Sequence, residues 1–187
     1  MVRWEPGTPE RLQAAALELF ATRGYEQTTA AEIAQSVGLT ERTFFRHFAD
    51  KREVLFHGQQ LFVAGFLEGA RATPGDAAPL EVVRAALGSA AGFFGDERRP
   101  HSRRRQTVID ANPALQEREL HKMVGLADAL RDLLRERGVA EPAATLAARV
   151  GTLVFEVSFA TWIAEGEERS IDTIQAVVFA ELVALVQ

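Results

Sequence analysis

Residues 29–48 read TAAEIAQSVGLTERTFFRHF and contain the start, break and restart of a helical pattern. The start is a capping box, because Thr29 and Glu32 stand three residues apart and each can satisfy a free backbone N–H group of the other. Gly38 interrupts the pattern, and Thr40 is suited to cap a second helix. This stretch therefore predicts two short helices joined by a tight turn that contains a glycine.

The side chains of this stretch divide into an inner and an outer set. The small Ala34 permits close helix contact, and the larger inner residues would share a core with Leu19 and Phe20 of a preceding helix. The predicted inner residues are Ile33, Val37, Leu39, Phe44 and Phe48. A steep pair of short helices with a polar outer face is typical of a helix-turn-helix, whose second helix enters the major groove of DNA.

Helical periodicity continues on both sides of the pair. Upstream, an apolar stripe predicts a helix that is capped by Thr8 and ends at Gly24. Downstream, Asp50 is expected to cap one fourth helix that carries Leu55, Phe62 and Phe66 on its inner face. Longer helices separated by proline and glycine follow, at about 80–94, 101–110, 114–137, 142–165 and 170–186.

The predicted fold class is all-α with about nine helices. No β-type alternation and no internal repeat occurs in the chain. We expect residues 1–50 to form a three-helix DNA-binding domain of the helix-turn-helix type, and residues 51–187 to form a second helical domain.

Composition excludes several classes of protein. The 187 residues include no cysteine, which excludes disulfides, thiolate nucleophiles and cysteine-bound metals, and no two of the four histidines lie four residues apart. We therefore predict no metal, no cofactor, no catalytic residue and no enzyme activity. The longest apolar stretches are about a dozen residues, too short to span a bilayer. The first residues lack the apolar run of a signal peptide, so a cytoplasmic protein without a membrane partner is expected.

Charge is distributed unevenly along the chain. The formal net charge of −5 argues against indiscriminate binding to polyanions. Residues 1–52 hold seven basic and seven acidic residues, so the whole excess of negative charge lies further along the chain. Arg42, Arg46, Lys51 and Arg52 cluster around the second helix of the pair. Few phosphates would be neutralised per subunit, which predicts a modest salt dependence of DNA binding.

The pattern T-x3-IA-x3-GLT-x2-TFFRHF-x2-K-x3-L, from Thr29 to Leu55, resembles the DNA-binding signature of the TetR family of one-component transcriptional regulators. The resemblance covers about residues 10–57. It implies an all-helical homodimer that binds a palindromic double-stranded DNA operator. It also implies that residues 51–187 form a helical ligand-binding and dimerisation domain with a small-molecule effector pocket, and that the effector relieves repression.

The resemblance assigns roles to individual residues of the N-terminal part of the chain, residues 1–52, which we call the head. Thr29, His47 and Lys51 match phosphate contacts, Thr40 caps the recognition helix, and Thr43 matches a position that contacts DNA. Arg42 and Arg46 are suited either to read guanine or to hold the backbone. With Phe45, the predicted DNA-binding residues are Thr29, Thr40, Arg42, Thr43, Phe45, Arg46, His47 and Lys51.

Two residues depart from the family pattern. Phe45 stands where tyrosine is frequent, so a hydroxyl contact to phosphate is lost, and the ring is left to pack on the DNA backbone or on a thymine methyl group. Glu41 favours the helix dipole but repels phosphate, unless it accepts a hydrogen bond from a cytosine amine.

The last two helices are apolar on more than one side, which indicates burial on more than one side. The resemblance implies that they pair with their symmetry mates in a homodimer; closure of the monomer core is the alternative. An apolar effector pocket would be lined by Phe62, Phe66, Phe93, Arg104, Ile109, Phe155, Phe159 and Trp162.

Two features of the C-terminal part leave alternatives open. The arginines between Arg98 and Arg105 form either an ion-pair surface or a contact for an anionic ligand group. Residues 105–115 are similar to a segment of TetR-family proteins that bind acyl-CoA-like ligands. Because Glu41 and Phe45 depart from the pattern, a helical ligand-binding or interaction module with weak or lost DNA binding stays an alternative, and an enzyme is a further one.

Overall fold

The computed structural model describes residues 7–185, and within this range the chain forms nine α-helices and no strand. They are α1 (Thr8–Arg23), α2 (Ala30–Ser36), α3 (Glu41–His47), α4 (Gln59–Arg71), α5 (Pro79–Ala91), α6 (Arg99–Asp110), α7 (Pro113–Glu136), α8 (Ala143–Trp162) and α9 (Ile171–Leu185). Two 3₁₀ turns occupy Arg52–Phe56 and Asp96–Arg98. The predicted all-α class is confirmed.

The helices group into two compact units. Unit 1 takes the described residues up to Gly58 together with Arg104–Glu119, and unit 2 takes Gln59–Arg103 and the described residues from Leu120 onward. The end of α6 and the start of α7 thus belong with the N-terminal helices, which the sequence pattern did not indicate. The domain boundary expected after residue 50 stays a prediction.

Unit 1 has a core that α1, α2 and α3 share with the 3₁₀ turn and with α6 and α7. Its larger buried side chains are Leu12, Phe20, Ile33, Phe44, Phe48, Leu55, Ile109 and Leu115. The predicted inner residues Val37 and Leu39 pack against this core at its edge. This core holds the two short helices α2 and α3 in place, since helices of seven residues are not stable by themselves.

Unit 2 is built on close helix contacts at glycines. A Cβ atom at Gly69 of α4 would lie 2.3 Å from the carbonyl oxygen of Ala85 in α5. A Cβ atom at Gly151 of α8 would lie 2.8 Å from Val83 of α5. Helix α8 is long and apolar enough to cross a membrane by length and composition, with a mean hydropathy of 1.3. Its packing against α5 and α9 accounts for this composition as that of a core helix.

The structure corrects two local predictions. The N-cap of α1 is Gly7 rather than Thr8, and no side chain caps this end. The single fourth helix is wrong: Asp50 accepts hydrogen bonds from the backbone of Arg52 and Glu53 and so caps the 3₁₀ turn, not α4. Gly58, at φ 84°, separates the turn from α4. Val186, the expected end of the last helix, lies outside the described residues.

Candidate nucleic-acid interface and effector region

Helix α2 begins with the predicted capping box. The Thr29 hydroxyl accepts a hydrogen bond from the Glu32 backbone at 3.2 Å, and the Glu32 carboxylate accepts from the Thr29 backbone N–H at 2.8 Å. The backbone N–H and then the hydroxyl of Thr29 hold the pKa of Glu32 below its ordinary value. The reciprocal pair fixes the direction in which α2 leaves the preceding loop.

The turn between α2 and α3 is fixed by backbone and side-chain hydrogen bonds. Gly38 adopts φ 72°, a left-handed conformation that side chains disfavour, and the Leu39 N–H donates to the Ala34 carbonyl at 2.9 Å. From α1, Arg11 Nη2 donates to the Val37 carbonyl at 2.7 Å. Arg11 is a positioning residue that the sequence pattern did not reveal.

Thr40 caps α3 as predicted. Its hydroxyl oxygen accepts from the Thr43 backbone N–H at 3.2 Å and lies 3.0 Å from the Thr43 hydroxyl. The two hydroxyl groups therefore form one hydrogen-bonded pair at the start of the helix. This pairing orients the Thr43 side chain at the end of α3 that enters a groove in helix-turn-helix proteins.

The outer face of α3 brings most of the predicted DNA-binding residues together. Phe44 and Phe48 are buried in the unit 1 core, whereas the side chains between and before them point outward. Exposed residues are Thr40, Glu41, Arg42, Phe45, Arg46 and His47, and Thr43 is half-buried. Thr29 is exposed at the start of α2. The result is a face with two guanidinium groups, one imidazole and one apolar ring.

Lys51 has partners within the head. Its Nζ donates to the Tyr25 carbonyl at 2.7 Å and lies 3.9 Å from the centre of the Tyr25 ring. Arg52 is paired with Asp50 at 2.9 Å. The phosphate contact of Lys51 stays a prediction, and in this structure the ammonium group joins the loop after α3 to the loop after α1.

The 3₁₀ turn Arg52–Phe56 in unit 1 is held in place by side chains of α6 and α7. The Phe56 ring has the guanidinium groups of Arg105 and Arg118 at 5.0 and 4.8 Å from its centre. Arg105 also donates to the Leu55 carbonyl at 3.1 Å and pairs with Glu119 at 3.1 Å. Arg105 of α6 and Arg118 of α7 thus fix the position of the 3₁₀ turn, a role that depends on tertiary contacts and that sequence does not reveal.

Residues 12–57 match the sequence pattern described as "Bacterial regulatory proteins, tetR family", which coincides with the capped helix pair and its core. The regulator TcmR of Streptomyces glaucescens is 39% identical to this chain over 89 residues, which are 48% of the chain and 39% of that protein. Residues 12–57 therefore carry the DNA-binding pattern of the TetR family. Its match spans well under two thirds of the length of this relative.

Solved structures extend the similarity to nearly the whole chain at the level of fold. The fatty acid degradation regulator FadR of Bacillus halodurans has a TM-score of 0.60 and 16% identity, covering 97% of both chains. The repressor FadR of Thermus thermophilus, solved with lauroyl-CoA, has a TM-score of 0.56 and 24% identity, covering 94% of this chain and 93% of its own. Like TcmR, both are named as regulators, in agreement with the prediction of a non-enzyme.

Unit 2 contains a continuous aromatic cluster. Phe62 contacts both Phe66 and Phe155, with ring centres 5.0 and 5.3 Å apart. Phe94 links these rings to Trp162, at 5.7 Å. With Phe159, five of the eight predicted effector residues lie in the cluster: Phe62, Phe66, Phe155, Phe159 and Trp162. Phe94 belongs to the same cluster.

The other three predicted effector residues lie elsewhere. Phe93 packs over Gly65 of α4, where a Cβ atom would lie 2.2 Å from the ring. Arg104 pairs with Glu18 of α1 at 2.7 Å, and Ile109 is buried in the core of unit 1. The structure therefore does not bring Arg104 and Ile109 into the aromatic cluster, because this part of α6 packs with the head.

Every arginine of the 98–105 cluster has a protein partner. Arg103 donates to the carbonyls of Ile163 and Ala164 at 2.6 and 2.8 Å, just past the end of α8. Arg99 pairs with Asp96, donates to the carbonyls of Glu167 and Arg169, and lies over the Trp162 ring. Cations at a helix C-terminus compensate its unpaired carbonyls and its dipole. The ion-pair and capping role is the one that this structure displays.

Two further features of unit 2 concern ligands and partners. A groove of about 430 Å³ between α5 and α9 is lined by apolar side chains, including Leu87, Phe179 and Val183, and by the polar or charged side chains of Arg84, Asp172 and Gln175. Along α8, Leu146, Leu153 and Val157 form an exposed apolar stripe at helical spacing. Sequence reasoning did not indicate the groove, because it depends on the pairing of two distant helices.

Proposed function

We propose that this chain is a cytoplasmic DNA-binding transcriptional regulator that binds a palindromic double-stranded operator through the outer face of α3. One observation carries the proposal: Arg42, Arg46 and His47 are exposed together on a capped helix whose inner face is anchored by Phe44 and Phe48. Guanidinium and imidazole groups on such a face can donate to phosphate oxygens or to the edge of guanine.

The proposed active form is a homodimer through α8 and α9. The stripe of Leu146, Leu153 and Val157 on α8, together with the exposed Val177 of α9, offers an apolar surface that suits an identical partner. A two-fold dimer presents two recognition helices to half-sites about 34–36 Å apart, which gives the operator its palindromic form.

The proposed mode is repression that a small apolar or amphipathic effector relieves. The aromatic cluster around Phe155 and Trp162 supplies apolar surface for such a molecule. Within the described residues, Ser158 Oγ and Trp162 Nε1 are buried without a hydrogen-bond partner, and they lie one helical turn apart on α8. They can donate to a carbonyl oxygen of an effector, as in an acyl thioester; acyl-CoA-like compounds are therefore the first class to test.

The test is selection of genomic DNA fragments by the purified full-length protein, followed by binding measurements on the recovered fragments. Recovery of a shared palindrome, with a stoichiometry of two chains per site, supports the proposal. Lauroyl-CoA is then added to the complex, with the native chain and Trp162→Phe compared. Release from the native complex at lower concentration than from the variant supports the effector site; failure to recover any specific fragment contradicts DNA regulation.

The alternatives make different predictions in the same experiment. A ligand-binding or interaction module with lost DNA binding would bind small molecules without retaining any fragment. An enzyme would consume the added compound, which analysis of the recovered lauroyl-CoA detects. Within residues 7–185 no group of three or more His, Asp or Glu side chains is placed to hold a metal ion, and nothing in the described sites favours turnover.

A further inference from the structure

Phe45 is the one large apolar side chain that α3 exposes. Its side chain is 51% exposed, whereas Phe44 and Phe48 on the same helix are 0% and 4% exposed. The Phe45 ring meets the Phe44 ring edge to face, with centres 5.4 Å apart and planes at 81°. Because Phe44 is fixed in the core, it supports one edge of the Phe45 ring and leaves the rest of the ring facing outward.

The surroundings of Phe45 are polar. Arg42 precedes it by one helical turn on the same side of α3, Arg46 follows it directly, and both are exposed. The half-exposed ring leaves apolar surface in water, and burying this surface against a partner is favourable. The surface that covers it must be apolar locally and accept cations nearby.

We propose that Phe45 recognises the methyl group of a thymine in each operator half-site, and this inference rests on the DNA-binding function proposed above. In the major groove, the C5 methyl of thymine is the apolar group that base edges present, and the phosphates on both sides accept cations. The phenyl ring fits this assignment, because it has no donor for a phosphate and makes a favourable contact with a methyl group.

The helix geometry places the thymine relative to the base pair that Arg42 contacts. Three residues of helix rise about 4.5 Å, and successive base pairs are about 3.4 Å apart. The thymine that Phe45 contacts therefore lies about one or two base pairs from the base pair that Arg42 contacts. This makes Phe45 a specificity-determining residue, whereas a ring packed on sugar and phosphate would carry no base preference.

The experiment replaces each thymine of the selected operator by deoxyuridine, which removes one methyl group and leaves base pairing intact. With the full-length protein, substitution at one symmetric pair of positions should weaken binding by about fourfold per half-site, the expected effect of one buried methyl group. Phe45→Ala should bind the thymine and deoxyuridine operators equally. Circular dichroism of the variant controls for folding, which the exposed position is expected to leave intact.

The outcomes separate this inference from the function on which it rests. Equal affinity of the native chain for the thymine operator and for fully substituted deoxyuridine operators overturns the role of Phe45, while DNA binding itself stands. If deoxyuridine weakens binding of Phe45→Ala as much as it weakens binding of the native chain, the role of Phe45 is also overturned, because another side chain then contacts the methyl group. Failure to recover any specific operator contradicts the proposed function instead.

Discussion

Arg118 of α7 donates two hydrogen bonds to Glu53 of the 3₁₀ turn, from Nε to Oε1 at 2.5 Å and from Nη2 to Oε2 at 2.9 Å. The side chains of Arg118 and Glu53 are only 19% and 30% exposed. The hydrogen bond from Arg118 to Glu53 raises the pKa of the Arg118 guanidinium above its usual range. Bidentate pairs of this kind are among the stronger side-chain interactions and fix orientation as well as distance.

Arg118→Gln should lower the free energy of unfolding by about 2 kcal/mol, because Glu53 keeps its charge in a partly buried place without its bidentate partner. Urea unfolding of the two proteins measures this difference. Arg131→Gln is the matched control: this arginine also lies on α7, and it pairs with Asp128 and Asp132 on the same helix near the surface. Its loss should have a much smaller effect, because exposed ion pairs within one helix contribute little, and equal effects of the two substitutions would contradict the prediction.

Arg46→Ala and Thr43→Ala should each weaken operator binding by roughly 1–3 kcal/mol, because a base or phosphate contact is lost in a place that does not support the core. Titration of labelled operator with each variant measures the effect. Arg71→Ala, at the exposed end of α4, is the control and should bind as the native chain does. Unchanged operator binding by both Arg46→Ala and Thr43→Ala would contradict the assignment of the outer face of α3 as the DNA-binding surface.

The local features of the head were predictable because they depend on neighbours in sequence. The capping box of Thr29, the left-handed Gly38 and the cap at Thr40 all follow from residues within four positions of one another. The fourth helix was wrong for a related reason. Asp50 is a good cap for any turn, and the apolar spacing continues past Gly58, so sequence alone does not show that the chain turns there.

The positions that depend on distant parts of the chain were not predictable in this way. Ile109 was expected to line an apolar pocket and Arg104 to meet an anionic group of the effector, but the second half of α6 packs with the N-terminal helices. Arg99 and Arg103 are close in sequence but bind different groups. Arg99 pairs with Asp96, and Arg103 donates to the Ile163 carbonyl just past the end of α8. Helical periodicity shows which face of a helix is buried, but it does not show which other helices that face packs against.

DNA binding should depend only modestly on salt. Arg42 and Arg46 are exposed on the recognition face, whereas Lys51 and Arg52 have partners in the head. A plot of the logarithm of the association constant against the logarithm of salt concentration should therefore have a slope no steeper than about −4 per subunit. A much steeper slope would mean that basic residues outside α3 and its flanks contact the DNA backbone.

Leu153→Glu should convert the protein from dimer to monomer, because it places a charge in the middle of the apolar stripe of α8. Sedimentation velocity of the purified variant measures the oligomeric state. The control is Leu120→Glu, which alters a similarly exposed leucine on α7 and should leave the dimer intact. If Leu153→Glu sediments as a dimer, α8 does not form the interface.

Glu32→Gln should destabilise the start of α2, because its carboxylate accepts hydrogen bonds from the backbone N–H and hydroxyl of Thr29 at 2.8 and 2.9 Å. These donors depress the pKa of Glu32 below its ordinary 4.5, so the stabilisation is fully present above pH 4.5 and is lost as the pH falls through the lower folded value. The difference in unfolding free energy between the native chain and Glu32→Gln should be constant above pH 4.5 and shrink below it. Urea unfolding across this range measures the difference, with Glu26→Gln in the preceding loop as control. A difference that grows on acidification would show that the carboxylate does not stabilise the head through the capping box.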